Sequence, residues 1–301
     1  MSVPEPARIV VTGGTGQVGW ELRRSLSTFG EVLAPGRAEC DLSDPPAAAA
    51  YLRRVKPSLV VNPAAYTAVD KAETDADLAQ RVNADAPGGM ARACADLNAL
   101  FVHYSTDYVF DGGAGTPYTE TSATSPVSVY GRTKLAGEEA VRAAGGRHLI
   151  LRTSWVYGTR GKNFLLTMLK LSRERDRLRV VADQVGAPTW SRAIADATAQ
   201  LLRRFPLDDA PPAALLNLTA SGHTSWHGFA SAIVELGAAR GLTRQVPVDG
   251  ITTADYPTPA RRPANSRLDN ARLRAAAGFV LADWQASLAL CLDDLAAARA
   301  A

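Results

Sequence analysis

The sequence is poor in the features that mark secreted, metal-binding or membrane proteins. Among 301 residues there are three cysteines, Cys40, Cys94 and Cys291, scattered and without metal-ligand spacing. That pattern excludes a disulfide framework and fits a reducing compartment, with the thiols as small core residues. Histidine is scarce too. His223 and His227 are four apart, but no carboxylate or third ligand accompanies them, so both read as structural and no metal site is expected. His103 and His148 lie in strand-like runs and are assigned no chemistry. The opening residues, Met1 to Arg8, are short and polar, and no apolar run reaches spanning length. Neither a signal peptide nor a membrane partner is expected, and the cytoplasm is the expected compartment. Charge of one sign is also lacking. With 33 basic and 30 acidic residues the net charge is +3, too balanced to suggest a nucleic-acid partner, and the pI near 8.8 reads as surface chemistry. Internal repeats are absent.

What is present is a strand–helix alternation. A chain of this length buries a good core, as two domains or one large one. Arg8 to Thr12 is a short β-branched run that ends in Gly13-Gly14-Thr15-Gly16-Gln17-Val18-Gly19, and Trp20 to Leu26 follows at helical spacing. Strand, glycine turn, helix is the context of a dinucleotide fingerprint: the glycines permit the tight turn and bring backbone N–H groups to a pyrophosphate. The alternative is a plain βα turn. A second strand, Glu31 to Ala34, leads to Arg37, with no carboxylate where an NAD-selective fold holds the ribose. A guanidinium there suits a 2′-phosphate, so the expected cofactor is NADPH with NADH tolerated; the bland reading is a solvated arginine. Asp41 and Leu42 are placed to meet the adenine edge, although Asp41, Ser43 or Asp44 could instead cap the alanine-rich helix that follows. Pro57 to Val61 is a third strand, and the small residues Ala64 and Ala65, with Tyr66, follow its carboxyl end, where ligands bind in open parallel sheets. Asn83 could brace the backbone there or be an ordinary buried asparagine.

Leu100 to Tyr104 reads as the fourth strand, with Ser105, Thr106 and Asp107 at its end, and a long loop from Phe110 to Pro126 intervenes before a helix from Tyr130 to Ala144. Tyr130 and Lys134 are four apart and share one face of that helix. A phenol beside a fixed ammonium is expected to give up its proton more readily. With the Thr106 hydroxyl added, the set can bind a carbonyl oxygen and protonate it as hydride arrives. Arg147 to Arg152 is a fifth strand, with Trp155 just past it. The expected fold class is α/β, a Rossmann-type doubly wound parallel sheet with a smaller α/β C-terminal substrate domain. Residues 1–152 form the NAD(P)-binding domain, with 190–220 returning to it, and 153–301 mainly the nucleotide-sugar domain. Further on, helices are expected over Asn163 to Arg175, Ala193 to Arg203, Trp226 to Ala239 with Ser225 as cap, Asn270 to Ala276 and Trp284 to Ala298. Strands are expected at Arg179 to Ala182 and Leu215 to Leu218, and Gly186 to Thr189 reads as a turn. Tyr256 to Leu268 is a Pro- and Arg-rich loop, either a diphosphate clamp or an exposed basic loop.

The stretches VTGGTGQVGWEL, VNPAAYTAVDKAE, HYSTDYVFDG, YGRTKLAGE, LRTSWVYG, DQVGAPT and YPTPARRPANSRL together resemble the extended short-chain dehydrogenase/reductase family, and within it the reductases that complete dTDP-L-rhamnose. The resemblance covers essentially the whole chain. It implies reduction of the C4 ketone of dTDP-4-dehydro-β-L-rhamnose by NADPH or NADH, with Thr106, Tyr130 and Lys134 as the catalytic set. Lys134 would hold the nicotinamide ribose and lower the Tyr130 pKa. Gly13, Gly16, Gln17, Val18, Gly19, Arg37, Asp41, Leu42, Ala64, Ala65 and Tyr66 would meet the cofactor, together with Tyr130 and Lys134. Thr106, Asp107, Tyr108, Trp155, Arg262, Asn265 and Ser266 would meet the nucleotide sugar. Two other readings stay open: a sister dTDP-ketohexose reductase, such as the ring-contracting dihydrostreptose type, and a non-catalytic NADP-binding regulatory subunit. The resemblance would also imply an Mg2+-assisted dimer, held by the glutamate after the fingerprint and an acidic residue past the GAPT turn. Glu21 is present, but Trp190, Ser191 and Arg192 follow that turn, and an arginine does not ligate Mg2+. The expected assembly is therefore a monomer or an unbridged homodimer.

Overall fold

The computed structural model describes residues 7–204 and 214–300. Residues 1–6 of the expected polar start, 205–213 of the expected returning segment, and 301 lie outside the described residues.

In the first half, strands β1 (Arg8–Val11), β2 (Glu31–Leu33), β3 (Leu59–Asn62), β4 (Leu100–Thr106) and β5 (His148–Thr153) alternate with helices. These are α1 (Gln17–Ser25), α2 (Pro45–Val55), the short α3 (Val69–Ala72) and α4 (Ala76–Gln80), α5 (Ala86–Asp96) and α6 (Val129–Ala143). In the second half come β6 (Val156–Tyr157), α7 (Phe164–Glu174), β7 (Leu178–Val181), β8 (Val185–Gly186), β9 (Thr189–Trp190), α8 (Ser191–Arg204), β10 (Ala214–Asn217), β11 (Thr224–Ser225), α9 (Trp226–Ala239), β12 (Val248–Ile251), α10 (Ala271–Ala277) and α11 (Trp284–Ala300).

Strands rich in Val, Ile and Leu without polar alternation must be covered on both faces, and β3 and β4 are buried along their whole length. The central sheet has the order β10-β5-β4-β3-β1-β2, with every pair parallel. Ile9 and Val11 point to one face, against Leu22 of α1, Leu26 just after it and Leu201 of α8. Val10 points to the other, against Leu52 of α2 and Met90 of α5. The chain turns from β1 one way to β2 and then the other way to β3, so the carboxyl ends of β1 and β3 flank the crevice where such sheets bind ligands. Strand β10 sits at the far edge, paired with β5.

A second core lies beyond the sheet. Leu165 and Leu169 of α7, Phe229, Ile233 and Val234 of α9, and Leu288 and Leu292 of α11 are buried together. Three two-stranded ladders frame it: β12 on β7, β11 on β8 and β6 on β9. The structure moves most expected boundaries by a residue or two. It also extends β4 through Ser105 and Thr106, so those residues belong to the strand. The Gly186–Thr189 turn is flanked by β8 and β9, and α8 starts at Ser191. A π turn over Arg81–Asp85 leads into α5; such single turns carry no period that a sequence displays.

Candidate active site

On the cofactor side of the crevice, Gly13 follows β1 with φ +56°, a conformation that costs an L side chain and not glycine. A Cβ there would stand 2.9 Å from Cβ of Ala64 after β3, so turn and neighbouring segment are already in contact. The Gly16 amide donates to the Gly13 carbonyl at 2.8 Å, and α1 starts at Gln17 with no side-chain cap. Its first N–H groups are therefore left for an anion, and the cradle fits a dinucleotide pyrophosphate. Val18 and Gly19 fill the first turn, and Gly19 is buried. Arg37 is exposed beyond β2. Asp41 accepts from the Ser43 amide at 2.8 Å while Asp44 caps α2 through the Ala47 amide at 3.1 Å, so the capping role falls to Asp44. Leu42 packs on the core beneath. Ala65 is half-buried. The Tyr66 amide donates to Asn83 Oδ1 at 2.8 Å, its carbonyl accepts from Asn83 Nδ2 at 3.2 Å, and its hydroxyl donates to Asp75 at 2.9 Å. Asn83, inside the π turn, is thus the backbone brace, and it also reaches Thr133 on α6 at 3.1 Å.

Ser128 caps α6 by accepting from the Gly131 amide at 3.1 Å, which sets the turn that carries Tyr130. The nearby Thr106 hydroxyl eases deprotonation of the phenol, and the Tyr130 ring meets Tyr108 edge-on at 5.4 Å between centroids. Burial, and then the neighbouring Asp107, push the Tyr130 phenol above its ordinary range. Here the structure departs from expectation. Lys134 shares the face, but its side chain runs beneath β4 and is 2% exposed. Its Nζ donates to the Tyr104 carbonyl at 2.6 Å and lies 3.3 Å from His103 Nε2. Burial pushes Lys134 down to about 8 against the pull of Glu138. The ammonium is held by the Tyr104 carbonyl of the strand, and the groups that act on the Tyr130 phenol are Asp107 and the Thr106 hydroxyl.

Asp107 is 3% exposed. Its Oδ1 accepts from Thr106 Oγ1 at 3.0 Å, and its Oδ2 has no hydrogen-bond partner. Burial pushes the carboxyl up to about 6, opposed by the Ser266 and Thr106 hydroxyls. Across the crevice, Arg262 donates to Asp70 at 2.8 Å and leaves a buried Nη1 without a partner. Two buried polar atoms left open in this way fit a polar ligand. Asn265 does not offer itself. Its Nδ2 donates to the Ala114 and Thr116 carbonyls at 2.8 Å, and its Oδ1 accepts from the Arg267 amide at 3.1 Å, so it fastens the long loop. Ser266 is buried and tied to β8, its amide donating to the Val185 carbonyl at 2.8 Å. Trp155 has φ +48°, which for a bulky residue costs of the order of 1–3 kcal/mol and marks functional segments. Beside it opens a cavity of about 400 Å³ lined by Phe164, Met168, Arg179, Trp226, Tyr256 and Arg262 among others.

A profile of the RmlD substrate binding domain matches residues 7–297. A dTDP-4-dehydrorhamnose reductase of Burkholderia thailandensis is 50% identical over 297 residues, covering 96% of this chain and 99% of the relative. The chain belongs to the dTDP-4-dehydrorhamnose reductase family. Solved structures of that family agree. The enzyme of Clostridium acetobutylicum superposes with TM-score 0.89 at 37% identity, covering 96% of this chain and 99% of that one. The enzyme of Bacillus anthracis, in complex with NADP, gives 0.88 at 29% identity over 96% and 99%.

Within this dTDP-4-dehydrorhamnose reductase family chain, sequence reasoning passed over four residues. His103 is not idle: Nδ1 stands 3.1 Å from Asn62 Nδ2, and Asn62 in turn accepts from Thr12, so a buried polar chain runs from the glycine-turn strand to Lys134. Burial, then Lys134, hold the His103 pKa well below its usual value, which keeps the ring neutral. A histidine and an asparagine inside apolar strands were the available signal, since buried polar groups need partners. Asn163 donates to Gln17 Oε1 at 2.9 Å and caps α7 through the Leu166 amide at 3.0 Å. Trp226 stacks on Trp155. The Mg2+ site does not fit: Arg192 donates to Glu21 at 3.2 Å and pairs with Asp294. Among the described residues no group of three His, Cys, Asp or Glu could hold a metal.

Proposed function

We propose that this chain reduces the C4 ketone of dTDP-4-dehydro-β-L-rhamnose to give dTDP-L-rhamnose, using NADPH with NADH tolerated. The observation that carries the reading is the nearness of the Tyr130 and Thr106 hydroxyls at the carboxyl end of β4, with Lys134 buried one turn along the same helix and the glycine turn at the reversal of strand order. Reduced nicotinamide supplies the hydride. The chain's own residues do the rest. Gly13, Gly16 and the first turn of α1 hold the pyrophosphate, Ala64, Ala65 and Tyr66 bear on the dinucleotide, and Arg37 meets a 2′-phosphate. Thr106 and Tyr130 hydrogen-bond the ketone oxygen, and Tyr130 gives it a proton as negative charge develops. An isolated phenol held above its ordinary pKa is a poor acid in the resting site, and it becomes an effective one when its acceptor is an oxygen turning into alkoxide. Lys134, fixed by the Tyr104 carbonyl, supplies positive charge below. Asp107 Oδ2 accepts a sugar hydroxyl, Trp155 and Tyr108 wall the ring, and the Arg262 loop meets the diphosphate.

Residues 1–152 with the 190–220 return would form the cofactor part, and 153–301 mainly the nucleotide-sugar part of a cytoplasmic monomer or homodimer. In support of the first, α8 and β10 pack on the sheet. No helix among the described residues is long and apolar enough to cross a membrane. Assaying NADPH oxidation with the ketosugar tests the reading. Tyr130→Phe is expected to lose roughly 10²–10⁴-fold in kcat, the usual span for a positioned proton donor. Comparable turnover in the variant would remove Tyr130 from the mechanism.

A further inference from the structure

In the proposed reaction Trp155 is one of the two aromatic residues that wall the sugar. Its indole does not stand alone. On one side lies Gly186, where an added Cβ would stand 2.5 Å from Trp155 Cε2 and 2.7 Å from its Nε1; only a residue without a side chain lets the ring lie there. The indole of Trp226 also lies flat against that ring, with 3.6 Å between ring centroids and 7° between planes. Both walls are set by the same small ladder. Strand β11 pairs antiparallel with β8 in the register Thr224↔Gly186 and Ser225↔Val185. The next residue, Trp226, opens α9, and Ser225 caps that helix by accepting from the Gly228 amide at 3.0 Å. The Trp155 carbonyl accepts from the Thr189 amide at 3.2 Å, and the Ser154 hydroxyl donates to the Ala187 carbonyl at 3.1 Å, so the backbone of the clamped residue is held from the same segment.

The clamp explains why a tryptophan keeps φ +48°. A bulky residue stays in the left-handed region only when its surroundings over-determine it, and here the close approach of Gly186 and the stacked Trp226 indole confine the ring. Trp155 emerges two residues beyond Thr153, the register partner of Thr106 across β4 and β5, so the clamp fixes an aromatic surface at the edge of the catalytic strand ends. Trp226 also faces the other way. It touches Phe164 at 4.6 Å between centroids, and both rings line the 400 Å³ cavity that holds Arg179 and Arg262.

We infer that Trp226 is a positioning residue for the sugar substrate: it locks Trp155 into its strained conformation and joins the sugar wall to the cavity on the nucleotide side. This rests on the reductase reading for the identity of the sugar, but the clamp is tested separately. Steady-state kinetics with NADPH and the dTDP-ketosugar are compared for wild type, Trp226→Ala and Trp226→Phe. In parallel, dTDP-L-rhamnose is titrated by tryptophan emission, which needs no turnover. Two indoles stacked this closely give an exciton couplet in circular dichroism that reports the clamp directly. The alanine variant is expected to lose the couplet and raise both the ketosugar KM and the dTDP-L-rhamnose Kd by roughly three- to tenfold, as for loss of one aromatic pair. The KM for NADPH stays put, and the phenylalanine variant recovers most of the affinity. The inference is overturned if the couplet is lost with sugar KM and Kd unchanged. It is also overturned if the NADPH KM rises in step with the sugar's, as a general loosening of the fold would produce. Wild type that binds dTDP-L-rhamnose but turns nothing over would sink the reductase reading and leave the clamp to stand or fall on the titration; absence of both binding and turnover sinks both.

Discussion

At the scale of single residues, Asp107 shows most plainly a group kept for something other than stability. It is buried, one oxygen has no partner, and its carboxyl is pushed up to about 6 from an ordinary 3.8. The folded state therefore binds the proton more tightly than the unfolded chain does. Between about pH 4 and 6 the unfolded chain has already released it, so stability falls as pH rises through this window. Above it the charged carboxylate costs the fold up to about 3 kcal/mol, at roughly 1.4 kcal/mol per pKa unit. Asp107→Asn should accordingly melt at a higher temperature than wild type at pH 7.5, with the gap closing below pH 4, while the ketosugar KM rises. Equal melting temperatures at pH 7.5 would show that the carboxylate is not strained. The helix that carries Tyr130 and Lys134 was legible in the sequence, because the two sit at helical spacing. The path of the lysine was not, because spacing fixes a face and says nothing about which acceptor a long side chain finds. Here the acceptor is the Tyr104 carbonyl.

Among the elements, helix α7 and the glycine turn are joined by a single side chain. Asn163 donates to Gln17, the first residue of α1 after the turn, and to the carbonyls of Gly158 and Arg160, and caps α7 through its own oxygen. The segment it closes also lays Arg160 over Trp20, with 3.8 Å from guanidinium carbon to ring centroid. One asparagine thus ties the start of α1 to a helix that lines the 400 Å³ cavity. Asn163→Ala should cost about 1–3 kcal/mol, a lost cap plus lost hydrogen bonds, read as a lower urea midpoint at an unchanged m-value. Both KM values should rise, in contrast to Trp226→Ala, which spares the cofactor. An unchanged NADPH KM would mean that the turn keeps its shape without this tie. The strand and helix order was readable from the alternation of β-branched runs with helical periods. The two-residue strands and the π turn at Asn83 were not, because so short a stretch carries no period, and their partners are remote in sequence.

At the scale of the molecule, two cores meet at one crevice. The parallel sheet, closed on both faces by Leu, Val, Ile and Met, carries the glycine turn and the Thr106–Tyr130 pair on its carboxyl edge. The second core, built on Phe229, Ile233 and Leu288, carries the cavity with Arg179 and Trp226. Arg192 of α8, between Glu21 of α1 and Asp294 of α11, bridges the two where the family resemblance suggested a metal. In the proposed reaction, hydride would pass from reduced nicotinamide to the ketone carbon. The most direct measurement follows that transfer. Purified protein is incubated with dTDP-4-dehydro-β-L-rhamnose and NADPH carrying deuterium at both C4 hydrogens of the nicotinamide, and the sugar product is isolated. Deuterium at C4 of dTDP-L-rhamnose, formed by wild type and lost in step with turnover in Tyr130→Phe, is the predicted result. Oxidation of the cofactor without label in the sugar, or no reaction of wild type with this ketosugar, would contradict it.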